Sequence, residues 1–164
     1  MVQVRILGVA LDPAQQHIVL LKPLVSDTDG ARVLPIWIGA QESTSILLAV
    51  EGEKAPRPLT HDLMTTLLDT LHSRIERVDV TRIEDGTFYA EITLVTPTGT
   101  LVLDARPSDS LALAVRVDAP IWVADEVIDE AGIPADMVDF GDEEEKLDEF
   151  KRFLDQVDPE DFQG

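Results

Sequence analysis

Four acids, one histidine and one arginine in this 164-residue chain stand where they could do chemistry: Glu42, His61, Asp62, Asp104, Arg106 and Asp109. The run Asp104-Ala105-Arg106-Pro107-Ser108-Asp109 places two carboxylates and a guanidinium on one short stretch. Carboxylates brought near each other hold Mg²⁺ or Mn²⁺ through oxygen. Such an ion generates hydroxide and stabilises charge on a scissile phosphate, and a guanidinium grips phosphate with two parallel hydrogen bonds. The same residues have structural uses. An acid at a helix start complements the helix dipole, and Arg106 can pair internally with Asp104 or Asp109. His61 suits a general base or a metal ligand, or a helix-start residue. Its neighbour Asp62 does not pair with it unaided, because adjacent helical residues point about 100° apart.

Other nucleophile classes are poorly supported. The chain has no cysteine, which excludes a thiol nucleophile, a disulfide and a Cys-ligated zinc or iron–sulfur site. Ser43, Ser108 and Ser110 have no evident base, and His17 and His72 sit in no motif. Gly-x-Ser-x-Gly, Gly-x-Gly-x-x-Gly and Walker-type loops are absent. Trp37 and Trp122 fall in predicted strands and read as core or interface rather than base-stacking platforms. Spacing alone names no enzyme class.

The elements that must position these residues read as two passes through one plan. In the first, Val2, Val4 and Ile6 alternate with polar residues as a strand. A turn at Asp12–Gln15 leads to a strand from His17 to Lys22, a polar loop at 26–30 and a third strand from Val33 to Ile38. Glu42 to Val50 then fits a helix. In the second pass Val78 and Val80 mark a strand, and Glu84-Asp85-Gly86 signals a hairpin. Phe88 to Leu94 alternates, Thr96–Gly99 turns, Leu101 to Asp104 forms the next strand, and Pro107 opens a helix to Val117. Glu42-Ser43 and Asp109-Ser110 open the two helices in the same way. The expectation is an α/β (α+β) fold of duplicated β-β-β-α units, 1–52 and 75–124, in a mixed, largely antiparallel sheet packed with helices.

Between the units, Thr60 reads as the N-cap of a connecting helix (60–73), with a Leu59–Met64 staple. Leu63, Leu67, Leu68 and Leu71 give that helix an apolar face. Pro120 to Val123 reads as a short strand, Asp125 to Ala131 as a short helix and Gly132 to Gly141 as a linker. The expected division is a body at 1–135 and an acidic helical tail at 136–164. Leu147, Phe150, Phe153 and Leu154 stripe that tail, which predicts docking on the body or on another subunit.

Composition bounds the partners. With 13 basic and 32 acidic residues the formal charge is −19, which excludes a broad basic surface for nucleic acid. Half of the acids lie beyond residue 124, so the acidity belongs mainly to the C-terminal quarter. The N-terminus reads as a strand, not a signal peptide, and no run approaches the roughly 18 apolar residues that span a bilayer. The expectation is a soluble, cytoplasmic protein.

Four blocks in order resemble the bifunctional nuclease domain family: Leu34-Pro35-Ile36-Trp37-Ile38-Gly39 with Glu42; Arg57-Pro58-Leu59-Thr60-His61-Asp62-Leu63; Thr87-Phe88-Tyr89-Ala90; and Asp104 through Ser110. The likeness spans roughly residues 1–135, and Ser110 stands where many members have alanine. The 150–162 stretch is similar to the tail of bacterial members. The resemblance implies cleavage of RNA and DNA, an activity attributed to plant members, and a homo-oligomer, with a dimer favoured. It carries over Glu42, Arg57, His61, Asp62, Asp104, Arg106 and Asp109. The resulting expectation is a metal-dependent nuclease or phosphodiesterase of low sequence specificity. Glu42, Asp104 and Asp109 would hold Mg²⁺ or Mn²⁺, His61 would be general base or acid in a catalytic set with Asp62 and Arg106, and Arg57 and Arg106 would hold phosphate. The alternative is a non-catalytic regulatory or binding protein that recognises a phosphorylated ligand or a protein. A third reading makes these residues determinants of fold and subunit contact.

Overall fold

A computed structural model describes residues 1–25 and 32–138. The tail stripe and the 26–30 loop lie outside the described residues. The strands are β1 (Val2–Leu11), β2 (His17–Pro23), β3 (Arg32–Ile38), β4 (Arg74–Glu84), β5 (Thr87–Thr96), β6 (Gly99–Ala105), β7 (Ile121–Val123) and β8 (Ile133–Pro134). The helices are α1 (Ala40–Val50), α2 (Thr60–Thr70), α3 (Pro107–Val117) and α4 (Asp125–Ala131). Residues 132–137, expected as linker, instead supply β8 and a 3-10 turn, Ala135–Met137, because Val33 and Arg32 of β3 offer a free edge.

All eight strands form one sheet in the order β6-β5-β4-β7-β1-β2-β3-β8. Each expected unit is present as a three-stranded meander followed by a helix, β1-β2-β3-α1 and β4-β5-β6-α3. The meanders face each other across β7, which runs parallel to β4 and antiparallel to β1. Their first strands therefore run in opposite directions, as a two-fold relation between the halves requires. Asp85-Gly86 closes the β4–β5 hairpin with both residues at positive φ, the type I′ geometry that matches strand twist.

The core fills from both halves. Val19, Leu21 and Leu34 of the first unit meet Val78, Val80, Leu111 and Leu113 of the second, all essentially sealed from solvent. Each such side chain stabilises the fold by roughly 1.5–3 kcal/mol relative to exposure. Helices α1 and α3 pack together, and α2 packs on α3.

One local expectation is corrected and two are narrowed. Leu59, not Thr60, is the N-cap of α2, because the Asp62 carboxylate accepts the Leu59 N–H and pulls the helix start back one residue. Only Leu68 of the α2 leucines packs on the core; Leu63, Leu67 and Leu71 are 52, 52 and 65 % exposed. Of the two readings of Trp37, core or interface, half exposure removes the first; its Nε1–H donates to Asp12, and Trp122 is partly buried against the Arg77 guanidinium.

Candidate functional site

Three helices begin near one another, and each carries an acid at its third position: Glu42 on α1, Asp62 on α2 and Asp109 on α3. That position suits an acid because the first turn presents unpaired N–H groups and the positive end of the helix dipole. Local chain chemistry fixes each start. Gly39 is the N-cap of α1, and a Cβ there would collide with the Glu42 carboxylate, so glycine lets that carboxylate fold back over the helix end. Arg106 is the N-cap of α3, with Pro107 at the first helical position, where a missing N–H costs nothing.

The Arg106 guanidinium joins two of these acids. Its Nη2 donates to Glu42 Oε1 at 3.1 Å and lies 2.8 Å from Asp109 Oδ2; its Nε donates to Asp109 Oδ2 at 2.9 Å. Asp109 first and Glu42 second hold the guanidinium firmly in its charged form. The other Asp109 oxygen faces His61 Nε2 at 2.9 Å, and His61 Nδ1 lies 2.7 Å from Ser45 Oγ on α1. A carboxylate can only accept, so a neutral His61 carries its proton on Nε2 and accepts the Ser45 hydroxyl on Nδ1. The His61 side chain is 8 % exposed and Asp109 28 %, while Arg106 is 66 % exposed.

A second arm runs the other way. Arg116 Nε donates to Asp62 Oδ1 at 2.8 Å, and Arg116 Nη1 donates to the Ser45 and Ala112 carbonyls. Burial pushes the Asp62 carboxyl up, but the Arg116 hydrogen bond and the Leu59 N–H together outweigh it and hold the group below its ordinary range. Ser45 thus touches both arms, and one polar network ties the three helices. Among the described residues no buried side-chain nitrogen or oxygen is left without a partner.

Glu42, His61, Arg106 and Asp109 are therefore brought together, and Asp62 joins them through Arg116 and Ser45. Asp104 is not brought in: it is exposed on β6, opposite Glu91 of β5, and makes no described hydrogen bond to the cluster. Arg57 is exposed in the α1–α2 connection, with no described hydrogen bond. Sequence reading missed Ser45 and Arg116. Arg116 stands seven residues, two helical turns, after Asp109, and that spacing was the available signal. As arranged, the donors do not fit a divalent ion. The Arg106 cation lies between Glu42 and Asp109, and no group of three or more His, Asp or Glu among the described residues converges as a metal site.

The family model of the bifunctional nuclease domain matches residues 23–136, which includes every residue of this network. The chain belongs to the bifunctional nuclease domain family. This bifunctional nuclease domain chain is 38% identical over 169 residues to an uncharacterised protein of Mycobacterium tuberculosis, covering 99% of this chain and 98% of that one. It is 27% identical over 116 residues to bifunctional nuclease 1 of Oryza sativa subsp. japonica and to the bifunctional nuclease of Oryza minuta. Those matches cover 68% of this chain and 34% of each rice protein, so it spans about a third of their length. Among the described residues no helix is long and apolar enough to cross a membrane.

Proposed function

We propose that this bifunctional nuclease domain protein cleaves phosphodiesters in RNA and DNA with low sequence specificity, at the cluster where α1, α2 and α3 begin. The observation that supports this is the single Arg106 guanidinium shared by Glu42 and Asp109 while His61 holds the second Asp109 oxygen. Arg106 Nη1 has no described acceptor and, on so exposed a side chain, is free to take a phosphate oxygen. Arg57 is the second phosphate contact. Asp109, with Glu42 beside it, is the group that can reach water and accept its proton. His61, enclosed between Ser45 and Asp109, is a positioning residue that orients the carboxylate, and Asp62 holds α2 in place through Arg116. Mg²⁺ or Mn²⁺ would find its donors in Glu42 and Asp109 only with Arg106 moved aside, and Asp104 would have to approach as well. The net charge of −19 repels a polyanion, but screening at physiological salt confines that repulsion to about 8 Å, so weak, salt-sensitive binding follows.

The test is cleavage of RNA and single-stranded DNA in Mg²⁺, Mn²⁺ or EDTA by the wild type and by the Glu42→Gln/Asp109→Asn double variant, each checked for folding. Cleavage by the wild type that falls at least about 100-fold in a folded variant supports the proposal. Cleavage that survives in the variant, or none by the wild type in any condition, overturns it.

A second reading makes the cluster a non-catalytic site for a phosphorylated ligand or a protein partner. The internal pairing of the network favours it, since among the described residues no buried side-chain nitrogen or oxygen lacks a partner. Binding without turnover is its signature. In either reading the homo-dimer implied by the resemblance would bury the exposed leucines of α2, the helix that carries His61.

A further inference from the structure

Away from the Arg106 cluster, the back of the network opens into a cleft of about 470 Å³ between the end of α1, the 52–59 connection, α2 and α3. That size lies within the range of small-molecule sites. Its walls are mixed: Leu48, Pro58, Leu59 and Val115 supply apolar surface beside the polar side chains of α2 and the connection. The Arg116 side chain also lines the cleft although it is only 9 % exposed. Three of its five N–H groups are spent on Asp62, Ser45 and Ala112. Nη2 has no described acceptor, yet no sealed nitrogen in the described residues lacks a partner. The two facts are compatible only if Nη2 keeps some contact with solvent, and the cleft is an open space that Arg116 lines.

The charges around that nitrogen suit an anion. Asp62, the nearest acid, already has one oxygen on Arg116 and the other on the Leu59 N–H. Lys54 and Glu53 both line the cleft and offset each other. The first turn of α2, with its positive dipole end, borders the cleft at Leu59 and Asp62. A guanidinium held on one edge by protein acceptors and bare on the other is preorganised for an oxyanion, because its geometry is fixed before the ligand arrives.

We propose that this cleft is a second site, for a small organic oxyanion with an apolar body, whose carboxylate or phosphate oxygen accepts from Arg116 Nη2 while its body lies against Pro58, Leu59 and Val115. The site does not depend on cleavage at the Arg106 cluster. A ligand there is three hydrogen bonds from His61: its own to Arg116, Arg116 to the Ser45 carbonyl, and the Ser45 hydroxyl to the imidazole.

The experiment is a protein-observed NMR titration of the full chain with phenyl phosphate, benzoate and benzamide, the last a neutral mimic of benzoate. Saturable shifts of the Leu48, Thr65 and Val115 amides with benzoate or phenyl phosphate, at least about tenfold weaker for benzamide, support the site; the stronger of the two anions identifies the oxyanion. Thr66→Trp fills the cleft from an exposed position on α2, removing the Thr66 hydroxyl's bond to the Asp62 carbonyl but leaving the Asp62 carboxylate on Arg116, and should weaken binding about tenfold. Arg116→Lys, which keeps the charge and loses the fork, should do the same. Equal binding of benzamide, no saturable shift at these amides, or unchanged binding in folded Thr66→Trp overturns the proposal. Because binding is read at amides of the cleft, its failure is separate from any failure of cleavage.

Discussion

Glu42 and Asp109 hold the same position in two repeated helices, third in α1 and third in α3, and they meet at Nη2 of one guanidinium. Two acids that would repel each other are held together by Arg106. Removing that cation should therefore cost more than one hydrogen bond. Arg106→Ala leaves two carboxylates facing each other; with solvent screening a side chain this exposed, the expected loss is about 1 kcal/mol, read as a lower urea midpoint. Arg106→Ala combined with Glu42→Gln should recover part of that loss. No recovery would mean that the two acids are not electrostatically coupled.

Gly39 tests the same relationship from the backbone. Its φ of −71° suits any residue, so alanine brings no backbone strain; the cost of Gly39→Ala is the collision with the Glu42 carboxylate. We expect the variant to stay folded, to lose Glu42 from Arg106, and to lower cleavage by about tenfold or more if the Arg106 cluster is the catalytic site. Gly8→Ala, where a Cβ meets nothing, is the control.

His61 reports on the joint between helices. His61→Ala removes both of its side-chain bonds and takes the imidazole partner from the buried Ser45 hydroxyl. The expected cost is about 2–4 kcal/mol by chemical denaturation, larger than the same change at His72, which is exposed. Equal costs at the two positions would show that the network adds nothing to stability.

Asp62 sets an acid limit. Its carboxyl titrates below its ordinary value of 3.8, so the folded state favours the charged form. The stability this contributes is present above 3.8 and is lost as pH falls from there through the lower folded value. Asp62→Asn should lower the melting temperature at neutral pH and flatten its decline in that acid window. A decline parallel to the wild type would assign acid sensitivity to other groups.

Self-association should depend on α2. Leu63, Leu67 and Leu71 recur every four residues and are more than half exposed, and the β6 edge adds Leu101, Val102 and Leu103. Uncovered apolar patches of this kind mark association surfaces. Light scattering after size exclusion should show a smaller particle for Leu67→Glu than for the wild type. Val102→Lys distinguishes the two surfaces, since a charge there blocks only edge pairing.

How far the sequence could be read follows the range of the interactions. The two β-β-β-α units were legible because alternation, the Asp85-Gly86 turn and Pro107 act over a few residues. Glu42 and Asp109 were legible as a pair because both open a helix directly after a strand. Arg116 and Ser45 were not, because each finds its partner on another helix and no local pattern records that. Asp104 was grouped with Asp109 by closeness along the chain; the strand-to-helix corner at Arg106 instead leaves it on β6 beside Glu91. The α2 leucines announced an apolar face, but periodicity does not say whether anything covers it.

The position of β7 also dictates a sequence of events in time. A three-residue strand near the end of the described chain is the seam between the two meanders. During synthesis the first meander is made with the outer side of β1 unpaired, and it stays so until β7 has been made. The edge then closes on both sides at once, by contacts among the most distant in the chain. Folding should therefore be limited by this late closure, as in other proteins of high contact order. The waiting half-sheet is the species most exposed to misassembly. Val123, sealed from solvent at that seam, is where a single truncation should slow folding most.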